Sequence, residues 1–351
     1  MDSGEIGDRA VGTGPLILGE ATQSERVNLD ANPDFWIHKP FIDAMENVIM
    51  PDQASRLAAF RAGQVDYAYS IVGNIRDLDA LLGTNPDIQV HSAPIFNNTF
   101  TVAMNLDNPK FQDERIRRGL NMAIDKNQII DIIYDGLGKN LTVQPWTIVF
   151  DEEPTLESGR FGDYWAFDPD EARAQLAAAG AEDLELDLIF YNYSDSSNSG
   201  QNEILVDQLR QAGITLNSNR VDYTEFNSQW VGASYGEIAD GWVSQGHDAD
   251  NFFFNIVHSE SPANRWHIND PDIDSWAEQQ KVELDPEMRR ELQTKIWDRM
   301  VDQMYTITKP TGFRFDPYQP WLKGMSFSGA LGSNSFFYDW GPQVYNAWLD
   351  K

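Results

Sequence analysis

At 351 residues the chain is long enough for two domains, and its 41% hydrophobic and 23% charged content is that of a folded globular protein. Fifty-five acidic against 26 basic residues leave a formal charge of −29, which argues against nucleic acid or an anionic membrane surface as partner, since both demand a basic patch. Cysteine is absent, so disulfides, thiolate catalysis and cysteine-ligated metal are excluded.

No apolar run reaches the length of a membrane span, and the start, MDSGEIGDRAVG, has neither a basic head nor an apolar stretch, so no signal peptide is read in it. Residues 12–19, GTGPLILG, read as a turn feeding a strand, followed by a second strand at 25–29 and a turn at Asn32-Pro33-Asp34. Residues 46–50 are strand-like. Asp52 then caps a helix carrying Leu57 and Phe60, with Gly63 placed just past its end. Residues 65–69 alternate as a strand, 75–82 form a short helix, and 88–91 and 98–106 are extended again. Such alternation is the signature of an α/β layer fold.

Beyond residue 108 the pattern becomes more helical. Asp113 caps a helix through Ile116, Leu120 and Ala123, and Asp125 with Gln128 makes a capping box ahead of Ile129, Ile130, Ile133 and Tyr134. Residues 137–167 have little periodicity and read as a long loop, a feature that is uncommon without a function. Asp168-Pro169 opens an Ala-rich helix that stops at Gly180, and Leu184, Leu186, Leu188 and Phe190 alternate as a strand. A helix through Ile204, Leu205 and Leu209 runs to Gly213 and leads into a strand at 214–216. Asp285-Pro286 opens a last helix with Leu292, Ile296, Trp297 and Met300, and the tail is aromatic-rich.

One stretch concentrates chemistry. In EIADGWVSQGHDADNFFFN (237–255), a short strand puts Ile238, Asp240 and Trp242 on one face and Ala239, Gly241 and Val243 on the other. It breaks into the polar turn Ser244-Gln245-Gly246-His247-Asp248 and closes on Phe252-Phe253-Phe254. In open α/β sheets, ligands sit beyond the carboxyl ends of strands, which is where this turn falls. A buried Trp with a solvated turn is the competing reading.

Several segments, in order, resemble one family. They are Gly12-Thr13-Gly14-Pro15, Asn32-Pro33-Asp34-Phe35-Trp36, RLAAFRAGQVD (56–66), Asn105-Leu106-Asp107, RIRRGLNMAIDK (115–126) and Asp168-Pro169-Asp170-Glu171-Ala172. Asp250-Asn251-Phe252-Phe253, NDPDID (269–274) and the closing VYNAWLDK (344–351) complete the set. Together they are similar to the peptide/nickel/opine class of extracytoplasmic solute-binding proteins that serve ABC importers. The resemblance implies an α/β protein of the type II periplasmic binding protein kind, with two lobes of mixed sheet flanked by helices closing over a solute. Residues 1–110 with 312–351 would form lobe one and 111–311 lobe two. Family members carry a leader and a longer segment before the GTGP turn, so the N-terminal part of lobe one is expected to be missing. Also implied are an extracytoplasmic location, permease subunits of an ABC transporter as partners, a monomeric state, and a peptide or similar polar oligomer as ligand. Oligosaccharides are the alternative ligand.

The resemblance places Trp242, Ser244, Gln245, His247 and Asp248 on a strand and loop that line the family's cleft, with Asn98 beside them. In peptide-binding relatives an Asp two or three residues beyond the Trp pairs with the peptide's α-amino group; the matching position here is Gln245. A neutral amide accepts a hydrogen bond without the charge assistance that roughly doubles its strength. Asp248 either substitutes for that carboxylate or caps the following helix. Trp146, Trp165, Trp242 and Phe252 are candidate apolar walls or sugar-stacking platforms, whereas Trp266, Trp276, Trp297 and Trp348 read as core. His247, His258 and His267 fit no helical pair of metal ligands, and no metal or other cofactor is expected. Glu152-Glu153 and Asp248 with Asp250 resemble the paired carboxylates of a glycoside hydrolase, but adjacent acids in so acidic a chain read better as solvated. No nucleophile elbow, P-loop or dinucleotide fingerprint is present, so the chain reads as a binding protein rather than an enzyme.

Overall fold

The computed structural model describes residues 12–22, 24–68, 71–94, 99–140, 142–143, 146–191, 197–243, 248–324 and 344–351. In chain order the first elements are β1 (Leu16–Thr22), β2 (Arg26–Ala31), β3 (Ala44–Val48), α1 (Gln53–Arg61), α2 (Ile75–Thr84) and β4 (Gln89–Pro94). Next come β5 (Thr99–Met104), α3 (Glu114–Met122), α4 (Lys126–Tyr134), β6 (Gly138–Lys139), α5 (Trp146–Val149), α6 (Pro169–Ala178), β7 (Glu185–Phe190), α7 (Ser197–Gln211) and β8 (Thr215–Arg220). The remainder are α8 (Tyr223–Val231), β9 (Ile238–Val243), α9 (Ala249–Phe253), α10 (Pro271–Val282), α11 (Pro286–Asp302), β10 (Ile307–Thr308), β11 (Thr311–Tyr318), β12 (Leu322–Lys323) and β13 (Trp348–Leu349). None of the described helices is long and apolar enough to cross a membrane.

Two compact units result, residues 1–95 with 313–351 and residues 96–312. The sequence places the first boundary near residue 110. Residues 96–110 group instead with the second unit, because β5 is hydrogen-bonded between β10 and β9 in that unit's sheet. β11 carries the chain across the later boundary: its first two residues pair with β6, and from Phe313 onward it pairs with β4.

In the first unit, β1, β2 and β3 form an antiparallel sheet. A separate small core gathers Phe60 of α1, Leu78 and Leu81 of α2, Ile71, Ile88 and Phe315. The strand expected at 65–69 reduces to a single bridge, Tyr67 to Tyr318, among the described residues. The polar groups of this segment are used elsewhere: the Asp66 carbonyl accepts from the Gln319 amide, its carboxylate accepts from Trp321 Nε1 at 2.7 Å, and the Tyr67 hydroxyl donates to Asp316.

The second unit is organised on a five-stranded sheet in the order β10-β5-β9-β7-β8. β7, β8 and β9 run parallel, and β5 is antiparallel to both β9 and β10. The helices start where chemistry dictates. Asp168, Asp270 and Asp285 each precede a proline and accept from backbone amides of the first turn, so otherwise orphan donors are met and the proline supplies the helical φ. α4 departs from the expected capping box in one half: Asp125 accepts from the Gln128 amide at 3.0 Å, but the Asp125 amide donates to Gln208 of α7 at 3.2 Å. Within 137–167, read as a loop, the only regular elements among the described residues are β6 and the single-turn α5.

β9 is the hub of this sheet, with every residue except Trp242 buried. Gly241 allows it: the Trp230 ring of α8 lies directly against its backbone, and a Cβ there would overlap the indole. Substituting Gly241→Ala must push the helix from the sheet, and a loss of about 1–3 kcal/mol in urea unfolding is expected; Gly236→Ala, which meets open space, is the matched control expected to stay near the parent.

Lys126 is a second constraint. Its ammonium is buried, donates to Asn121 Oδ1 at 2.7 Å, and stands 4.6 Å from the centre of the Trp165 ring. It forms no ion pair among the described residues, and burial pulls its pKa down to about 7, with Asp125 opposing weakly. The unfolded chain holds this proton up to about pH 10.5, so above pH 7 the unfolded state binds more protons and stability rises with pH. Relative to Lys126→Met, the parent should gain about 2 kcal/mol in urea unfolding between pH 7 and pH 9, at up to about 1.4 kcal/mol per pH unit; parallel profiles of the two proteins would contradict the uncompensated charge.

Candidate functional site

The strand directions bring the carboxyl ends of β7, β8 and β9, and the amino end of β5, to one edge of the sheet. β7 lies between β8 and β9, so the chain leaves β7 toward one side and comes back on the other. Such a reversal opens a crevice outside the strand ends. Trp242 stands there, at the end of β9.

Its ring is half-buried and held on an aromatic stack. Tyr191, just past β7, meets it edge-on at 5.7 Å between centroids, Phe226 of α8 is roughly parallel at 5.7 Å, and Trp230 is at 6.4 Å. The fully buried Trp230 donates its Nε1 to the Trp242 carbonyl at 3.2 Å, and the guanidinium of Arg265 lies 5.0 Å over the Trp230 ring. Tyr223, at the start of α8 and 56% exposed, packs edge-on against Tyr191 at 5.2 Å. Sequence reasoning misses Tyr191, Tyr223, Phe226, Trp230 and Arg265. A signal for α8 is nonetheless present: Asp222 caps it by accepting from the Glu225 amide, and Tyr223, Phe226 and Trp230 recur at helical spacing.

Beneath the strand end lies a buried polar triad. Lys309 Nζ is 2.5 Å from Asp240 Oδ2, and Asn202 of α7 donates to the same oxygen at 2.9 Å while accepting from Lys309 at 3.2 Å. Burial lowers the Lys309 pKa and the neighbouring Asp240 opposes that shift. Asp240 Oδ1 has no partner among the described residues. Removing either charge would strand the other in the core, so the pair specifies local geometry more than it adds stability.

Of the residues expected at the site, Ser244, Gln245, His247 and Asn98 lie outside the described residues. Asp248 is the N-cap of α9, accepting from the Asp250 amide at 2.8 Å, with Arg289 3.6 Å away; its carboxylate is committed to the helix start. Phe252 corrects the expectation of a cleft wall: it is fully buried, T-stacked on Phe253, because α9 turns this face into the core. Trp165 is likewise buried, stacked on Phe161 at 4.7 Å. Trp146 is half-buried against the large core. Trp266 and Trp297 are core as expected and Trp276 packs against it, whereas Trp348 is 42% exposed on β13.

Several of the remaining acids and histidines have local partners. Glu153 pairs with Lys139 at 2.6 Å, and Asp250 accepts from Gln280 at 3.0 Å. His267 sits between Asp107, at 2.9 Å, and the Ala233 carbonyl, at 2.8 Å; the buried His258 neighbours Asp274 and Glu278. Among the described residues no group of three His, Asp or Glu side chains is placed to hold a metal ion.

Comparison with known proteins matches residues 2–264 to the model of the bacterial extracellular solute-binding proteins, family 5, middle region. Heme-binding protein A of Haemophilus influenzae is 24% identical over 343 residues, 95% of this chain and 60% of that protein. The probable di/tripeptide-binding protein 5 of Pseudomonas aeruginosa is 25% identical over 317 residues, 86% of this chain and 57% of that protein. The chain thus spans about 60% of the length of these relatives. Among solved structures, the binding protein AgaA from A. tumefaciens R10, in complex with agropinic acid, superposes with a TM-score of 0.79 at 16% identity, covering 99% of this chain and 70% of that one. These relatives are binding proteins rather than enzymes, and the mixed α/β fold is that of a type II periplasmic binding protein. With the family model covering most of its length, the chain belongs to the bacterial extracellular solute-binding proteins, family 5.

Proposed function

We propose that this chain is the solute-capturing component of an ABC importer, acting outside the cytoplasm, and that it holds a peptide or similarly polar oligomer for delivery to a membrane permease. The observation that carries this reading is the half-buried Trp242 ring at the carboxyl edge of the sheet, locked on Tyr191, Phe226 and Trp230. A ring fixed in this way presents apolar surface without losing side-chain freedom on binding, while neighbouring strand ends offer backbone donors and acceptors. Relatives named for di- and tripeptides support a peptide, and the net charge of −29 favours a ligand with a cationic end over a polyanion.

Di- and tripeptides should raise the melting temperature of the intact chain, by the equivalent of about 2.7 kcal/mol at a roughly hundredfold excess over Kd. Trp242→Ala should weaken binding at least about tenfold, or about 1.4 kcal/mol, in calorimetric titration. Absence of a shift with any peptide, or a shift with oligosaccharides alone, would overturn the peptide reading.

Position 245 sharpens the chemistry. The family's peptide binders carry a carboxylate at the matching place, and here the residue is Gln245. Gln245→Asp should strengthen binding of peptides with a free α-amino group by roughly 1–2 kcal/mol and leave N-acetylated peptides unimproved. Equal gains for both would show that position 245 does not face the amino end.

A further inference from the structure

Withdrawing a guanidinium from water is costly unless its donors are met, and the arginines of the second unit show how they are met. Arg117 is buried and donates to the carbonyls of Phe111, Gln112 and Gln303. Arg118 pairs with Glu114 and Asp302, Arg289 with Asp248 and Gln280, and Arg299 with Asp270. Arg265 departs from this pattern. It is half-buried, and its one hydrogen bond among the described residues is a long one, from Nη1 to the Trp242 carbonyl at 3.5 Å. Its Nε is buried without a partner, and the face of Trp230, 5.0 Å away, carries no full negative charge. Burial works against the charged form, with Tyr235 opposing, yet an arginine holds its proton throughout the physiological range.

This guanidinium stands at the strand-end crevice. Trp242 is the last residue but one of β9, and its carbonyl receives both Arg265 and the Trp230 indole. Lys309 lies near the same strand, but Asp240 already balances it. Arg220 ends β8, but it is exposed, and β8 lies two strands from β9, about 9–10 Å away in the hydrogen-bonding direction. Arg265 therefore brings a planar fork of donors, partly desolvated and without an anion among the described residues, to within one residue of the Trp242 ring. A carboxylate matches that fork, since its two oxygens accept parallel N–H bonds. A phosphate or a dicarboxylate would carry more negative charge into the field of a chain at −29, which favours a single carboxylate.

We propose that Arg265 is a specificity-determining residue of the strand-end site, binding the carboxylate of the ligand, so that the class of solute taken is peptides with a free C-terminal carboxylate. The assignment rests on the peptide reading of the Trp242 site and adds to it the end of the ligand that this site selects.

The probes are Ala-Phe, Phe-Ala and trialanine, each titrated into the intact chain as the free acid and as the C-terminal amide, by calorimetry at high salt to screen the long-range field. The acids should bind about ten- to hundredfold tighter than the amides, the range set by hydrogen bonds to a charged group. The net charge of −29 attracts the positively charged amides more than the zwitterionic acids, so this preference has to come from a local cation. Arg265→Gln should bring the acid-to-amide ratio close to one, Arg265→Lys should restore part of it, and Arg220→Gln should leave it unchanged. Packing lost against Trp230 weakens acid and amide alike, so the ratio reports the carboxylate contact and not a structural role. The acid–amide comparison on the parent needs no variant, and it decides the matter even if Arg265→Gln fails to fold. Equal affinity of acids and amides for the parent would overturn the assignment and leave the peptide reading standing. So would a preference that survives Arg265→Gln or vanishes in Arg220→Gln. Absence of binding by every probe would remove the peptide reading and the assignment with it.

Discussion

The packing of the Trp230 indole on the backbone of Gly241 is the contact on which the strand-end site depends. With no Cβ in the way, α8 comes close enough for the indole nitrogen to reach the carbonyl of the next residue, Trp242. One side chain thereby fixes both the separation of helix and sheet and the backbone of the residue whose ring stands at the edge. Phe226, one helical turn before Trp230, meets the Trp242 ring itself, and Tyr191 closes the stack from the end of β7. Each aromatic pair is worth about 0.5–1.5 kcal/mol beyond its burial, but the larger effect is geometric. A ring clamped from α8 and β7 together has little freedom left to lose, and a rigid platform is what a binding edge requires.

Two buried lysines in the same unit meet the cost of burial differently. Lys309 is matched by a carboxylate and an amide, so its charge is balanced inside the sheet and ties the end of β10, β9 and α7 together. Lys126 has an amide and an aromatic face instead, neither of which carries a full negative charge. The first arrangement is a structural clasp. The second is relieved by loss of the proton, which burial brings down to about pH 7.

Much of this unit is legible in the sequence because its signals are local. Asp-Pro pairs at 168, 270 and 285 cap helices through contacts within three residues, and the alternation of Leu184, Leu186, Leu188 and Phe190 is a period-two signal. What escapes sequence reasoning depends on distant partners. The Asp125 amide turns to Gln208, 83 residues away, in place of Gln128. Residues 65–69 alternate like a strand, but the polar groups of Asp66 are claimed by Gln319 and Trp321. Phe252 and Trp242 are both aromatic residues near one turn, and only the direction in which α9 leaves it buries one and keeps the other at the edge. Asp248 is ambiguous in sequence between anchor and cap, and the Asp250 amide decides for the cap.

The α4–α7 pair connects the two ends of the second unit. Gln201 and Gln208 lie two turns apart along one face of α7, and each grips a different end of α4. Gly200 strengthens that register, since a Cβ there would press on Ile133. The grips lie about 10 Å apart along the helix, at about 1.5 Å per residue. With both held, α4 cannot slide along α7 without breaking one of them. Movement of one end of the unit relative to the other through this pair would require the Gln201–Tyr134 or Gln208–Asp125 contact to exchange partners.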